Sequence, residues 1–285
     1  MNRRFVLVLP LLLLGTLVAG CGGSSGPPTV TVQAHQFELG DFKPAGPVAA
    51  GKPVTVSFKV IQPDGQTMTK FKRGSGPHTG VHLIIVRKDL SVIIHRHPPE
   101  EANGLFTQQV TFPAPGPYRL VLDVYPATSN IQLRNFQLFD HIQVAGVYKP
   151  LPLPKPARTD TIDGYRFDLV KISTPTLRAI DPAFLTITVT TPQGKPAPFT
   201  PWYGALAHAI FFRAGSLDYF HTHVCSPGAT TCGSVLGSTK VSGSSATPGH
   251  LTVGVLVPLP GTWRLFLQIQ SGGKILTAPF TLRVH

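Results

Sequence analysis

The chain carries one histidine triplet twice at one spacing. His82 is followed thirteen positions later by His95 and then by His97, and His208 thirteen positions later by His221 and then by His223. An apolar run follows the first histidine in each copy: Leu83-Ile84-Ile85-Val86 and Ala209-Ile210-Phe211-Phe212. Runs of this kind read as strands, and the spacing then reads as a hairpin. With Lys88-Asp89 as a two-residue turn, His82 faces His95; with Ala214-Gly215 as the turn, His208 faces His221. A four-residue loop shifts the pairing by two and sets His82 opposite His97. Either even loop keeps all three histidines on one face, whereas an odd loop turns the first one away. Opposed Cβ atoms lie about 4.5–5.5 Å apart and i, i+2 neighbours about 6.5–7 Å. Imidazoles from such positions can converge on one ion at about 2.0–2.1 Å. The spacing therefore predicts one three-nitrogen site per copy, at the hairpin end away from the turn, which is the mouth of a β-sandwich. His78, in Gly76-Pro77-His78-Thr79-Gly80, is placed to add a fourth nitrogen to the first site, and the second copy has no histidine at the matching position.

A second repeat accompanies the first. Phe112-Pro113-Ala114-Pro115-Gly116-Pro117-Tyr118-Arg119-Leu120-Val121-Leu122 matches Val257-Pro258-Leu259-Pro260-Gly261-Thr262-Trp263-Arg264-Leu265-Phe266-Leu267. The Pro-Gly pair marks a turn, and the alternation after it marks a strand. With 28 Gly, 29 Pro and 17 Phe, the chain offers many turns and few long helical periods. The expected fold is all-β: two tandem immunoglobulin-like β-sandwich domains. The expected boundaries are 29–148 for the first domain, 149–159 for a linker and 160–285 for the second. The linker rests on Lys149-Pro150-Leu151-Pro152-Leu153-Pro154-Lys155-Pro156, where alternate prolines forbid a ladder and favour an extended connection.

The N-terminus reads as a targeting segment. Asn2-Arg3-Arg4 precedes an apolar run from Phe5 to Val18, shorter than the ~20 residues of a membrane span. Leu17-Val18-Ala19-Gly20-Cys21 resembles the bacterial lipoprotein box. The resemblance implies a signal peptide over 1–20, lipidated Cys21 as the first mature residue, and a flexible tether over 21–28. A thioether lipid would hold the domains at the outer face of a cell membrane.

The formal charge of +12 is scattered along the chain. An exported basic protein points to anionic headgroups or cell-envelope polymers as neighbours, and away from nucleic acid. Beyond Cys21 the cysteines are Cys225 and Cys232. In an oxidising compartment they read as a loop-closing disulfide. The other reading makes Cys225 a soft ligand, because His221, His223 and Cys225 alternate on one strand face.

His82-Leu83-Ile84-Ile85-Val86-Arg87-Lys88-Asp89-Leu90, His95-Arg96-His97-Pro98 and Gly116-Pro117-Tyr118-Arg119 together resemble a family of bacterial secreted proteins. These are grouped loosely with YtkA-like and heavy-metal-associated domains. Tyr203-Gly204-Ala205 through His208 to His221-Thr222-His223 is similar to the partner domain of that family, and Val224 departs from its proline. The resemblance spans most of residues 30–285 and implies metal handling.

Imidazole ligands suit copper, zinc and nickel, with Cu(II) bound most tightly by general affinity order. A set of neutral ligands disfavours calcium and magnesium. The leading expectation is a lipid-anchored copper- or zinc-binding protein that buffers, sequesters or transfers the ion. An adhesive surface module without metal is the alternative. A zinc hydrolase with three histidine ligands is a third, but nothing matches Glu100 and Glu101 after the second triplet, so no catalytic residue is assigned.

Overall fold

Short runs of alternating or continuous apolar residues, each bounded by Pro, Gly or Asp, leave the chain little choice but strands. The computed structural model describes residues 37–73, 76–127, 135–229, 232, 235–236 and 239–285, and no helix occurs among them. The signal peptide, Cys21 and the tether lie outside the described residues. Among the described residues, no helix is long and apolar enough to cross a membrane.

The first half holds β1 (Glu38–Lys43), β2 (Val48–Ala49), β3 (Pro53–Ile61), β4 (Val81–Arg87), β5 (Ile93–Arg96), β6 (Phe106–Thr111), β7 (Gly116–Val124) and β8 (Phe136–Ala145). They form a three-stranded sheet, β1-β3-β6, facing a five-stranded sheet, β2-β8-β7-β4-β5. The second half holds β9 (Thr159–Ile162), β10 (Tyr165–Ile172), β11 (Ala183–Thr190), β12 (Ala207–Arg213), β13 (Tyr219–Cys225), β14 (Val235–Leu236), β15 (Thr239–Lys240), β16 (Gly243–Ser244), β17 (His250–Val255), β18 (Gly261–Ser271) and β19 (Lys274–Val284).

The pairing repeats. β1-β3-β6 corresponds to β10-β11-β17, and β8-β7-β4-β5 to β19-β18-β12-β13. Both are immunoglobulin-like sandwiches of antiparallel strands. In the second, β16 joins β13 to β17, so the two sheets run on into one nine-stranded sheet. Glycine makes that seam: a Cβ at Gly243 would lie 1.8 Å from the Thr252 carbonyl oxygen, and one at Gly254 would lie 1.9 Å from that of Val241.

The repeated aromatic explains itself as a corner. The Tyr118 hydroxyl donates to the Ala114 carbonyl at 2.9 Å, and the Trp263 indole N–H to the Leu259 carbonyl at 2.9 Å. Each closes the Pro-Gly turn four residues upstream, as the tyrosine corner of such sandwiches does. The hairpin arginines fasten the same turns: Arg87 Nη2 donates to the Pro115 carbonyl and Arg213 Nε to that of Pro260, both at 2.7 Å.

The two sandwiches pack together. Leu83 and Ile85 point into the first domain's core, but Ile84, Val86 and Val121 join Ile210, Phe212 and Phe266 of the second domain in a separate apolar cluster. This explains why β4 is buried at every position, since a strand covered on both faces reads as a continuous apolar run. Leu153 of the proline-rich run packs against that cluster, and Leu151 N–H donates to Asp89 Oδ2 at 2.8 Å. The connection is thus held along the first hairpin, and β9 opens at Thr159, the last residue read as linker.

Candidate metal centre

Both hairpins use the four-residue loop. Ile84 pairs with His95 and Leu83 with Arg96, which sets His82 level with His97; His208 pairs directly with His223. All six histidines therefore lie on one face of their hairpins. That face is not the inner wall of each sandwich. His82 shares the side of Ile84 and Val86, so the triplets look outward from their own domains and into the interdomain contact. The expectation of two separate sites at two sandwich mouths is corrected accordingly. The physical reason is the burial of an apolar outer face, which brings the second domain over the first.

The result is one cluster. Ring centroids lie 4.0 Å apart for His82 and His97, 5.3 Å for His82 and His221, 4.9 Å for His95 and His208, and 4.4 Å for His221 and His223. His82, His95, His208 and His223 are at most 1% exposed. His78 joins it beside His223 of the second triplet. Its ring packs 4.9 Å from that of His223, and its Nε2 lies 3.3 Å from the Cys232 carbonyl oxygen. Two groups bring three ligand nitrogens within 4.8 Å of one another: His82, His95 and His97, and His82 with His221 and His223. His82 belongs to both.

Hydrogen bonds fix several tautomers. His82 Nε2 lies against the Pro77 carbonyl oxygen, and His208 Nε2 lies 2.9 Å from that of Trp202. A carbonyl only accepts, so each Nε2 carries the proton and each Nδ1 keeps a lone pair. His95 Nδ1 lies 3.0 Å from Gln268 Oε1, which leaves its Nε2 as the lone pair. His82 Nδ1, His95 Nε2, His97 Nε2, His208 Nδ1 and both nitrogens of His221 and His223 are buried without a hydrogen-bond partner. Ligand histidines are commonly arranged in this way, one nitrogen donating outward and the other free.

The electrostatics agree. Burial, followed by His221, pushes His82 down to about 3. Burial also holds His95, His208 and His223 well below the ordinary imidazole range, and lowers His97. All five are neutral at neutral pH, as metal binding requires.

Sequence reasoning missed what stands behind the cluster. Asp123, 2% exposed, pairs in register with His82 and accepts from Tyr125 at 3.1 Å, Asn135 at 3.0 Å and Gln137 at 2.8 Å. Its Oδ2 lies 3.9 Å from His221 Nδ1 of the other domain. Burial works to raise this carboxyl, but His221, His82 and the Asn135 amide outweigh it and hold it at about 2. In the second domain Gln268 pairs in register with His208 and reaches across to His95. The contacts therefore cross, as in a two-fold interface. Asp123 and Gln268 each follow a Leu-x-Leu step at matching places in the repeat, which is the signal that could have found them. Trp202 and Tyr203 close one side, with Tyr203 stacked on His97 at 3.8 Å.

The other cysteine and histidine side chains fall elsewhere. Cys225 and Cys232 are joined by a disulfide, which removes Cys225 as a thiolate ligand. Val224 continues β13 into Cys225, whereas Pro98 follows the end of β5. Proline lacks the N–H that a longer ladder needs. His141, His250 and His285 are exposed and apart from the cluster, and His35 lies outside the described residues.

A family model described as a domain of unknown function, DUF8832, matches residues 35–138 and 160–285. The chain belongs to that family. The two matched segments correspond to the two sandwiches, and the YtkA-like resemblance remains an expectation beside them. No curated protein matches the chain. Among solved structures, a Salmonella alpha-2-macroglobulin mutant is 14% identical with a TM-score of 0.27, over 87% of this chain and 14% of that one. Invasin, a bacterial integrin-binding protein, is 14% identical at 0.24, over 87% of this chain and 38% of that one. Fibronectin(III)-like modules of Clostridium thermocellum CbhA are 12% identical at 0.22, over 87% and 92%. The chain thus spans well under two thirds of the first two, and scores this low carry no argument about it.

Proposed function

We propose that the chain is a lipid-anchored, extracytoplasmic metal-binding protein that takes up copper or zinc between its two domains, to buffer, sequester or hand over the ion. One observation carries the reading. Six clustered histidines leave buried imidazole nitrogens without any hydrogen-bond partner, all facing one region. A buried polar atom left unpaired costs about 1–3 kcal/mol, so this many would weigh heavily against the fold. A bound ion would offset that cost by taking the lone pairs. Nitrogen ligands with one carboxylate behind them suit Cu(II) and zinc better than calcium or magnesium.

The anchor rests on the Leu17–Cys21 box and the Gly-Ser tether. With anionic headgroups or cell-envelope polymers as neighbours of its basic surface, the protein would work at the outer face of a cell membrane. The role is binding, without a catalytic step. The test is titration of the purified chain with zinc and with Cu(II), followed by dialysis and elemental analysis. Retention of either ion at near-stoichiometric level is the expected result, and a chain that retains neither is not a metal-binding protein. Cys21→Ser should move the protein from the membrane fraction to the soluble one; persistence in the membrane after signal-peptide cleavage would overturn the anchor.

A further inference from the structure

Resting on that reading, we propose that the cluster holds a single ion in two alternative seats, with His82 as the ligand common to both. The outer seat is His82, His95 and His97. The inner seat is His82, His221 and His223. Each set brings its ligand atoms within 4.8 Å of one another. They cannot both be filled, because His82 has one lone pair to give. Its Nε2 is committed to the Pro77 carbonyl, and Nδ1 is its only unpartnered nitrogen. His208 keeps a free Nδ1, with its ring centroid 4.9 Å from those of both His95 and His223. It stands outside both three-nitrogen groups and closes in on the filled seat as the fourth nitrogen of a tetrahedral set.

The seats differ in access. His97 lines a cavity of about 280 Å³ together with Pro98, Glu100, Lys72 and Arg73. Each set has one half-buried residue, His97 in the outer and His221 in the inner, but of these two His97 is the one that lines the cavity. An arriving ion meets His97 first. The seats differ also in what stands behind them. His221 of the inner seat has the Asp123 carboxylate 3.9 Å from its Nδ1, whereas His95 of the outer seat has the neutral Gln268 amide. At that distance the carboxylate makes no hydrogen bond to the imidazole, but its buried charge adds negative potential behind the ligand. The inner seat is therefore the tighter one. It is also the one that draws ligands from both domains, so an ion that pivots about His82 from outer to inner seat fastens the two sandwiches together.

The experiment is Cu(II) loading of the full chain. Stoichiometry is read by elemental analysis after dialysis, and the time course by stopped-flow quenching of Trp202, whose ring lies 5.4 Å from that of His95. One ion per chain, loaded in a fast and then a slow phase, is expected. His223→Ala should keep the fast phase, lose the slow one and weaken binding at least as much as losing a ligand's outer partner does, about 10–100-fold, since it removes a ligand outright. His97→Ala should keep most of the affinity and lose the fast phase. Apo melting curves check that each variant folds, and the wild-type stoichiometry needs no variant. Two ions per wild-type chain would sink the shared ligand while leaving the metal reading intact. A single phase in the wild type would sink the two seats in the same way. No retained ion would sink the metal reading and this inference together.

Discussion

The two domains carry the same triplet on the same four-residue hairpin, yet they present it differently. The first domain backs the cluster with a buried carboxylate, Asp123, and the second with an amide, Gln268. His97 borders a cavity, whereas its counterpart His223 is enclosed. The first hairpin's short strand stops before Pro98, whereas the second runs on to the disulfide at Cys225. Duplication thus supplied two similar ligand sets, and the docking of one upon the other made them unequal. The lesson is that equivalence along the chain does not carry over to equivalence at the site.

The strongest break in that comparison is between His82 and His208, which correspond in the repeat. His82→Ala should lower metal affinity by more than about a hundredfold, because both seats lose a ligand. His208→Ala should cost about tenfold, as the loss of a fourth nitrogen. Calorimetric titration of both variants checks this, and equal losses would restore two equivalent sites.

Acid is the next largest lever. In the unfolded chain His82 takes a proton near its ordinary 6.5, but in the fold only near about 3. Its contribution is therefore complete above pH 6.5 and is lost as pH falls from there toward 3, at up to about 1.4 kcal/mol per pH unit. Asp123 behaves as a depressed carboxyl: its contribution holds above its ordinary 3.8 and is lost as pH falls toward about 2. Denaturant unfolding of the metal-free protein between about pH 7 and 4 should show falling stability. A flat profile would contradict the burial of neutral histidines.

A smaller effect concerns the two backing groups. Asp123→Asn should weaken metal binding by about 10–100-fold, and Gln268→Ala by less, since only the carboxylate adds charge behind its histidine. Reversal of that order, read by competition with a chelator, would move the preferred seat to the first domain's own triplet.

The smallest effect is at the corners. Tyr118→Phe removes the bond to the Ala114 carbonyl and should cost about 1 kcal/mol. Metal affinity should stay unchanged, because this corner is at the far end of the sheet from the histidines. Thermal unfolding with and without zinc measures both.

Much of this was legible along the chain. The alternation after Pro-Gly, the turn residues and the even spacing from His82 to His95 and from His208 to His221 determined the strands, the duplication and the shared facing of each triplet. Those features act locally: a strand has a period of two, and an even loop preserves it. The continuous apolar run from Leu83 to Val86 even carried a sign that both faces of β4 are covered. What covers the outer face was not legible. The docking of Ile84 and Val86 on Ile210 and Phe212 brings together residues far apart in the chain, and no local rule specifies it. That docking alone decided that His82 meets His221 and His223, that Asp123 stands behind a histidine of the other domain, and that two triplets make one enclosed centre. Periodicity sets which way a side chain points, but burial of an apolar face against a distant partner sets what it meets.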